Sequence, residues 1–215
     1  MRRKNQRGVA YIELGVCMAV LLPLTLGVIS IGLNMHLQMQ TVQLARDSGH
    51  MFARGIDFTL TGNQQVLVAI GGSLGLSATA GSGSAVVMLS TIRYVDVAAC
   101  AQAGKVDAHG APSGCTNYLK WVFAQRLVIG NSTIHSSDLG TPPSNIVATN
   151  GTITITNQVT NAGDVATVTA FNPWNSTTGT GIPSGTLIYV SEASATGFRM
   201  SPYSTLATTY AQNYF

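Results

Sequence analysis

From Gly8 to Leu33 the chain is apolar with few interruptions, GVAYIELGVCMAVLLPLTLGVISIGL. About 25 residues of this kind, wound as a helix, are long enough to cross the roughly 30 Å hydrocarbon core of a bilayer. At Asn34 the pattern changes. Leu37, Thr41, Leu44, Ser48 and Met51 recur at three- and four-residue spacing, with Gln38, Gln40, Gln43 and Arg46 elsewhere. The helix is therefore expected to continue as an amphipathic one, with Gly55 as its C-cap. Ala45, Ser48, Gly49 and Ala53 would let a neighbouring element approach closely. After Asp57 a short second helix is expected. Thr61 and Gln64 stand at capping-box spacing, and Val66, Leu67, Ala69 and Ile70 give it an apolar face until Gly71-Gly72. The same stretch, QVLVAI, also reads as a strand.

From Ala85 onward the pattern turns to that of strands. AVVMLSTIRYVDV reads as one strand of mixed alternation. In YLKWVFAQRLVIG, Leu119, Trp121, Phe123, Leu127 and Ile129 set an apolar inner face against Lys120 and Arg126. Shorter strands are expected at Thr152–Thr156, Val165–Phe171 and Thr186–Ala193, separated by turn-rich loops such as GTPPSN, NAGD and NPWNSTTGTGIPSG. Such spacing fits an antiparallel sheet. The C-terminal SPYSTLATTYAQNYF, with no charges, reads as an edge strand or a docking tail. The expected fold is α+β, a long N-terminal helix packed on an antiparallel sheet. The expected division is residues 1–8 as a basic leader, 9–56 as the helix and 57–215 as a β-rich head.

Composition and charge sharpen this picture. Only 9% of the 215 residues are charged, against roughly a quarter in an ordinary globular domain, which suits an exported chain. Of the eleven Lys and Arg, four (Arg2, Arg3, Lys4, Arg7) lie in residues 1–8. Seven remain against eight Asp and Glu, so the formal +3 becomes −1 without them. No basic patch for nucleic acid is left. The positive-inside rule places the N-terminus in the cytoplasm and the bulk of the chain across the membrane. A cleaved secretory signal fits poorly, because the apolar run is longer than a signal core and no Ala-x-Ala follows it.

Several residues carry candidate chemistry. Glu13 puts a carboxylate inside the apolar run, where it costs a few kcal/mol at the bilayer centre. A plain anchor does not need it; a snorkelling acid near the headgroups is the alternative. Pro23 removes a backbone hydrogen bond mid-helix, giving a functional kink or a harmless one. Cys17 is expected to be an unreactive, small buried filler in the helix. Cys100 and Cys115 are expected to form a disulfide in an oxidising compartment, worth about 3 kcal/mol for that loop length, with two free thiols as the alternative. His36, His50 and His109 lack partners at metal-ligand spacing, so no metal or cofactor is expected. Gly71-Gly72-Ser73-Leu74-Gly75 matches G-x-S-x-G, with His109 or His135 as base and Asp96 or Asp107 behind it. A poor following helix, the missing βαβ pattern and the missing oxyanion segment oppose a hydrolase, and no catalytic residue is assigned. Asn131 and Asn175 open N-x-S/T triplets, which indicate surface exposure. Trp174 either folds back on the head or presents an exposed aromatic.

Basic leader, Gly8, four small or apolar residues, Glu13 and a long apolar helix together resemble a class III prepilin. The wording RGVAYIEL is similar to the Tad (Flp) type IV pilus system, whose proteins carry RG-x-A-x-x-E here. Length and a large head resemble the TadE-like minor pilins and pseudopilins of that system, with similar texture around Ala45-Arg46, Gly49 and Ala53-Arg54. The resemblance spans residues 2–56. Leu14 stands where Flp-type motifs usually have Tyr or Phe, and Pro23 interrupts the helix.

The resemblance implies cleavage between Gly8 and Val9 by a prepilin peptidase, and Glu13 as the fifth mature residue, setting register against the amine of a neighbouring subunit. It implies no enzymatic activity. The implied partners are other pilin subunits, the peptidase, an inner-membrane assembly platform and membrane lipid before assembly. The implied location is the bacterial inner membrane, then periplasmic or extracellular in the pilus. The alternative is a membrane-anchored adhesin, its β-rich head the working part and its helix a tether.

Overall fold

The computed structural model describes residues 6–172, 181–201 and 208–215. One helix, α1 (Gln6–Ala53), runs 48 residues, roughly 70 Å at 1.5 Å per residue. It ends in a Schellman arrangement: Gly55, at φ 82°, donates to Phe52 O, and Ile56 N donates to Met51 O. Gly55 thus stands where the sequence expects the cap. The helix α2 (Thr61–Gly71) follows, then a short 3₁₀ turn at Gly72–Leu74. Thr61 does not cap it; Leu60 holds the N-cap position with no side-chain bond, and Gln64 Nε2 instead donates to Phe58 O. The helix reading of QVLVAI holds over the strand reading.

Four strands, β1 (Ala85–Tyr94), β2 (Trp121–Gly130), β3 (Leu187–Thr196) and β4 (Thr208–Tyr214), form one antiparallel sheet in the order β2-β1-β3-β4. The chain is α+β, its long helix lying on this sheet. The C-terminal half of α1 covers one face, with a core of Leu44, Ala45 and Phe52 against Val87, Leu89, Ile129 and Ala193. The irregular segment after β2 covers the other, where Leu139, Ile146, Ile153 and Ala166 pack on Ile92, Phe123, Ile188 and Val190. Central β1 is buried on both faces for eight of its ten residues, which explains its unalternating sequence.

The structure corrects four expectations about the strands. The strand from Ala85 stops at Tyr94, because Asp96 accepts from Ala99 N and caps a short helix, α3 (Val97–Gln102). Thr152–Thr156 is not a strand: Thr154 accepts from Asn157 N and starts α4 (Ile155–Thr160), leaving Thr152 and Ile153 in isolated bridges. Val165–Phe171 is not a strand either; a 3₁₀ turn at Ala162–Asp164 precedes it, and Val165 makes a lone bridge to Val122. In β2 the single inner face divides. Thr91 pairs with Gln125 but Ile92 pairs with Phe123, so Ala124 is an extra residue, and such a bulge reverses the alternation. Leu127 and Ile129 face α1, Trp121 and Phe123 face the irregular layer, and Leu119 is 57% exposed at φ 62° in the preceding turn.

Of the two readings of the C-terminal tail, the described residues take the edge strand. β4 is the edge strand, and Phe215 extends its pairing by exchanging backbone bonds with Tyr189. Part of that tail (202–207), with Arg2, Arg3, Lys4, Trp174 and Asn175, lies outside the described residues.

Candidate functional site

The two halves of α1 have different surroundings. Between Tyr11 and Leu33 the large apolar side chains are exposed, among them Ile12 at 69%, Val16 at 63% and Leu24 at 64%. This helix is long and apolar enough to cross a membrane, with a mean hydropathy of 2.4 over its best 18 residues and 6% of them buried. Glu13 sits in the exposed part, one helical turn after Val9 in the chain. Gly8 and Val9 lie within the helix backbone. The helix continues through Pro23, and two residues on Thr25 Oγ1 donates to the carbonyls of Leu21 and Leu22.

The other half of α1 is seated by small and hydroxyl-bearing residues. Thr41, Leu44, Ala45, Ser48, Gly49 and Phe52 form the buried stripe, the three- and four-residue spacing of a helix face. Thr41 Oγ1 meets Thr209 Oγ1 at 2.7 Å, and Ser48 Oγ meets Ser191 Oγ at 2.7 Å. Gln38 Nε2 donates to Tyr210 O at 2.9 Å. Asn34 acts through both ends of its amide, donating to Phe198 O at 3.0 Å and accepting from Phe198 N at 2.9 Å. Buried hydroxyl pairs have a defined partner position, so these contacts fix the rotation of α1 on the sheet.

On the opposite face a charged network lies inside the molecule. Glu192, fully buried, accepts from Arg126 Nη1 at 3.2 Å, Ser137 Oγ at 2.5 Å, Asp138 N at 3.0 Å and Tyr210 Oη at 2.8 Å. Burial, aided by Glu192, pushes the Tyr210 phenol far above its ordinary value, so it remains a donor. Burial draws the Arg126 guanidinium down, while Glu192 opposes the shift. Asp164 is buried with neither carboxylate oxygen hydrogen-bonded, and burial lifts its carboxyl to about 8.

Sequence reasoning placed Arg126 on a polar face and gave no role to Glu192 or Asp164. Arg126 and Glu192 lie 66 positions apart, and only the pairing of β1 with both β2 and β3 brings them together.

The remaining candidates are dispersed. Cys100 and Cys115 are joined as a disulfide, and Cys17 is exposed on α1. Ser73 lies in the turn after α2, following a helix where a nucleophile elbow follows a strand. Asp96 caps α3, and Asp107 accepts from His109 N and Ala111 N within its own turn. His135 stacks on Tyr210 with ring centroids 4.3 Å apart. His36 bonds Gln40, and His50 lies edge-on to Phe215. Among the described residues, no group of three or more His, Cys, Asp or Glu side chains is placed to hold a metal.

The family model for TadE-like proteins matches residues 8–50. Neither the curated proteins nor the solved structures contain a match to this chain. The matched stretch is α1 almost to its end; the sheet lies beyond it. The match likens this helix to that of TadE-like proteins, a family associated with the Tad pilus, and does not extend to the sheet.

Proposed function

We propose that this chain is a minor pilin or pseudopilin of a Tad-type pilus or a related secretion filament. The observation that carries this reading is the exposed apolar half of α1, continuous with the half seated on the sheet and bearing one carboxylate, Glu13. In the proposal residues 1–8 are a cytoplasmic leader, removed by a prepilin peptidase after Gly8, and residues 57–215 are the exported head. The helix first lies in the inner membrane and then enters a bundle of like helices through an assembly platform. Pro23 would ease that transfer by weakening the helix locally.

Cleavage would leave an ammonium on Val9. In a low-dielectric bundle a carboxylate is costly when alone and strongly attracted when an opposite charge meets it. Glu13 paired with the amine of an adjacent subunit would therefore select one stagger, since other staggers leave both charges unpaired. Replacing Glu13 by Ala tests this. The filament reading expects loss of incorporation with the chain still in the membrane. Unchanged incorporation would remove Glu13 from its role, and unchanged surface display without any filament would favour the tethered adhesin.

A further inference from the structure

Four contacts fix how α1 lies along β3. Asn34 bonds the backbone of Phe198, and Thr41 bonds Thr209, the strand partner of Ala195. Ser48 bonds Ser191, and Phe52 lies edge-on to Tyr189. From Asn34 to Phe52 the helix advances about 27 Å, and from Phe198 back to Tyr189 an extended chain covers about 30 Å. The two advances match, so helix and strand run side by side in opposite directions. The end of the sheet where β1 begins and β3 finishes therefore stands level with Asn34.

That level is set by the apolar half of the helix. About 20 helical residues cross the hydrocarbon core of a bilayer, and counted from Tyr11 they end at Ser30. Asn34 follows about 6 Å further along the axis, at the depth of the headgroup layer. Ser30 is fully buried while Ile29, Ile31 and Leu33 stay exposed, so the head already flanks α1 there.

Three loops share this end of the sheet: 77–84 before β1, 131–133 after β2 and 197–201 after β3. Backbone bonds from Thr196 N to Ser84 O and from Gly81 N to Gly130 O tie their roots together. They are rich in Ser, Thr and Gly and hold a single charge, Arg199, which is exposed and makes no ion pair among the described residues. Half-buried Phe198 and Met200 flank it. The opposite end, entered by 95–120, carries both signs in Asp96, Lys105, Asp107 and Lys120. An aromatic and a cation beside apolar surface suit the boundary between lipid and water.

We infer that this end of the head docks on the headgroup layer of the bilayer that α1 crosses, and that Arg199 there engages anionic phospholipid. Phe198 and Met200 rest at the acyl boundary, and the hydroxyls of the neighbouring loops lie among the headgroups. Docking sets the depth of α1 and the attitude of the sheet before the helix leaves the bilayer. This deepens the membrane stage of the function proposed above and rests on it, so insertion and docking are scored separately.

The full chain carrying Cys17→Ser and one new cysteine is labelled with a fluorophore and placed in nanodiscs of phosphatidylcholine, with or without phosphatidylglycerol. A lipid spin-labelled at its headgroup quenches the docked loop at Ser201→Cys, with Lys120→Cys at the far end of the sheet as reference. A lipid spin-labelled deep in its acyl chain reports insertion at Val20→Cys. Quenching is expected at Ser201→Cys and not at Lys120→Cys. Phosphatidylglycerol should raise the ratio of docked to undocked loop about fivefold, the pull of one Arg on an anionic surface. Arg199→Gln should remove that rise, and so should roughly 0.5 M salt in the unaltered chain. Quenching at Val20→Cys without quenching at Ser201→Cys would overturn the docking and leave the anchor standing. Quenching at Ser201→Cys that ignores both phosphatidylglycerol and Arg199→Gln would overturn the engagement of anionic lipid. No quenching at Val20→Cys would remove the anchor and the docking together.

Discussion

The ring of Phe215, last residue of the chain, occupies the space above Gly49 where a Cβ on that residue would stand. The residue after β4 thus packs directly onto the helix, one turn before α1 ends. Phe215 is held there by its backbone exchange with Tyr189 and its edge-on contact with His50. Gly49→Ala should lower stability by about 1–3 kcal/mol, the usual cost of overpacking. Phe215→Ala in the same chain should recover part of the loss, and a double-mutant cycle by chemical denaturation measures the coupling.

The network around Glu192 makes a second case. Arg126→Met leaves a buried carboxylate without its cation and should cost about 3–5 kcal/mol. Adding Glu192→Gln removes the stranded charge and should return much of that. Denaturation midpoints of the two singles and the double separate an ion-pair contribution from a simple packing defect.

Asp164 gives the protein a pH dependence of defined sign. Its carboxyl titrates near 3.8 when unfolded and about 8 when folded. Between those values the folded state holds a proton that the unfolded state releases. Stability should therefore fall as pH rises from about 4 to about 8, by at most about 1.4 kcal/mol per pH unit from this group. Asp164→Asn should flatten that slope and be the more stable form at pH 8, with the advantage shrinking toward pH 4. Thermal melts of both proteins across this range provide the comparison.

Much of this architecture is legible in the chain. The stripe from Thr41 to Phe52 repeats at helical spacing, so the buried face of α1 and its small residues follow from sequence. So do the bodies of β1, β2 and β3. What sequence hides is the result of single local choices and of distant pairing. The extra Ala124 moves Trp121 and Phe123 to the other face, although their spacing from Leu127 is in phase. The hydroxyl of Thr154 converts an alternating TITIT into a helix start. The partner of Arg126 is set by sheet order, which period and composition do not encode.

The Cys100–Cys115 bridge spans a separation of 15 residues, and constraining such a loop in the unfolded chain is worth about 3 kcal/mol. Reductant should lower the melting temperature of the purified protein. It should leave a Cys100→Ser/Cys115→Ser variant, already less stable, unmoved.

The filament-subunit reading turns most directly on the N-terminus of the protein extracted from membranes, determined by intact mass and terminal sequencing in cells with and without the prepilin peptidase. A mature chain beginning at Val9 only when the peptidase is present is the expected result. A chain that keeps Arg2 to Gly8 in both strains would contradict it, and would leave α1 as a tether for the sheet it carries.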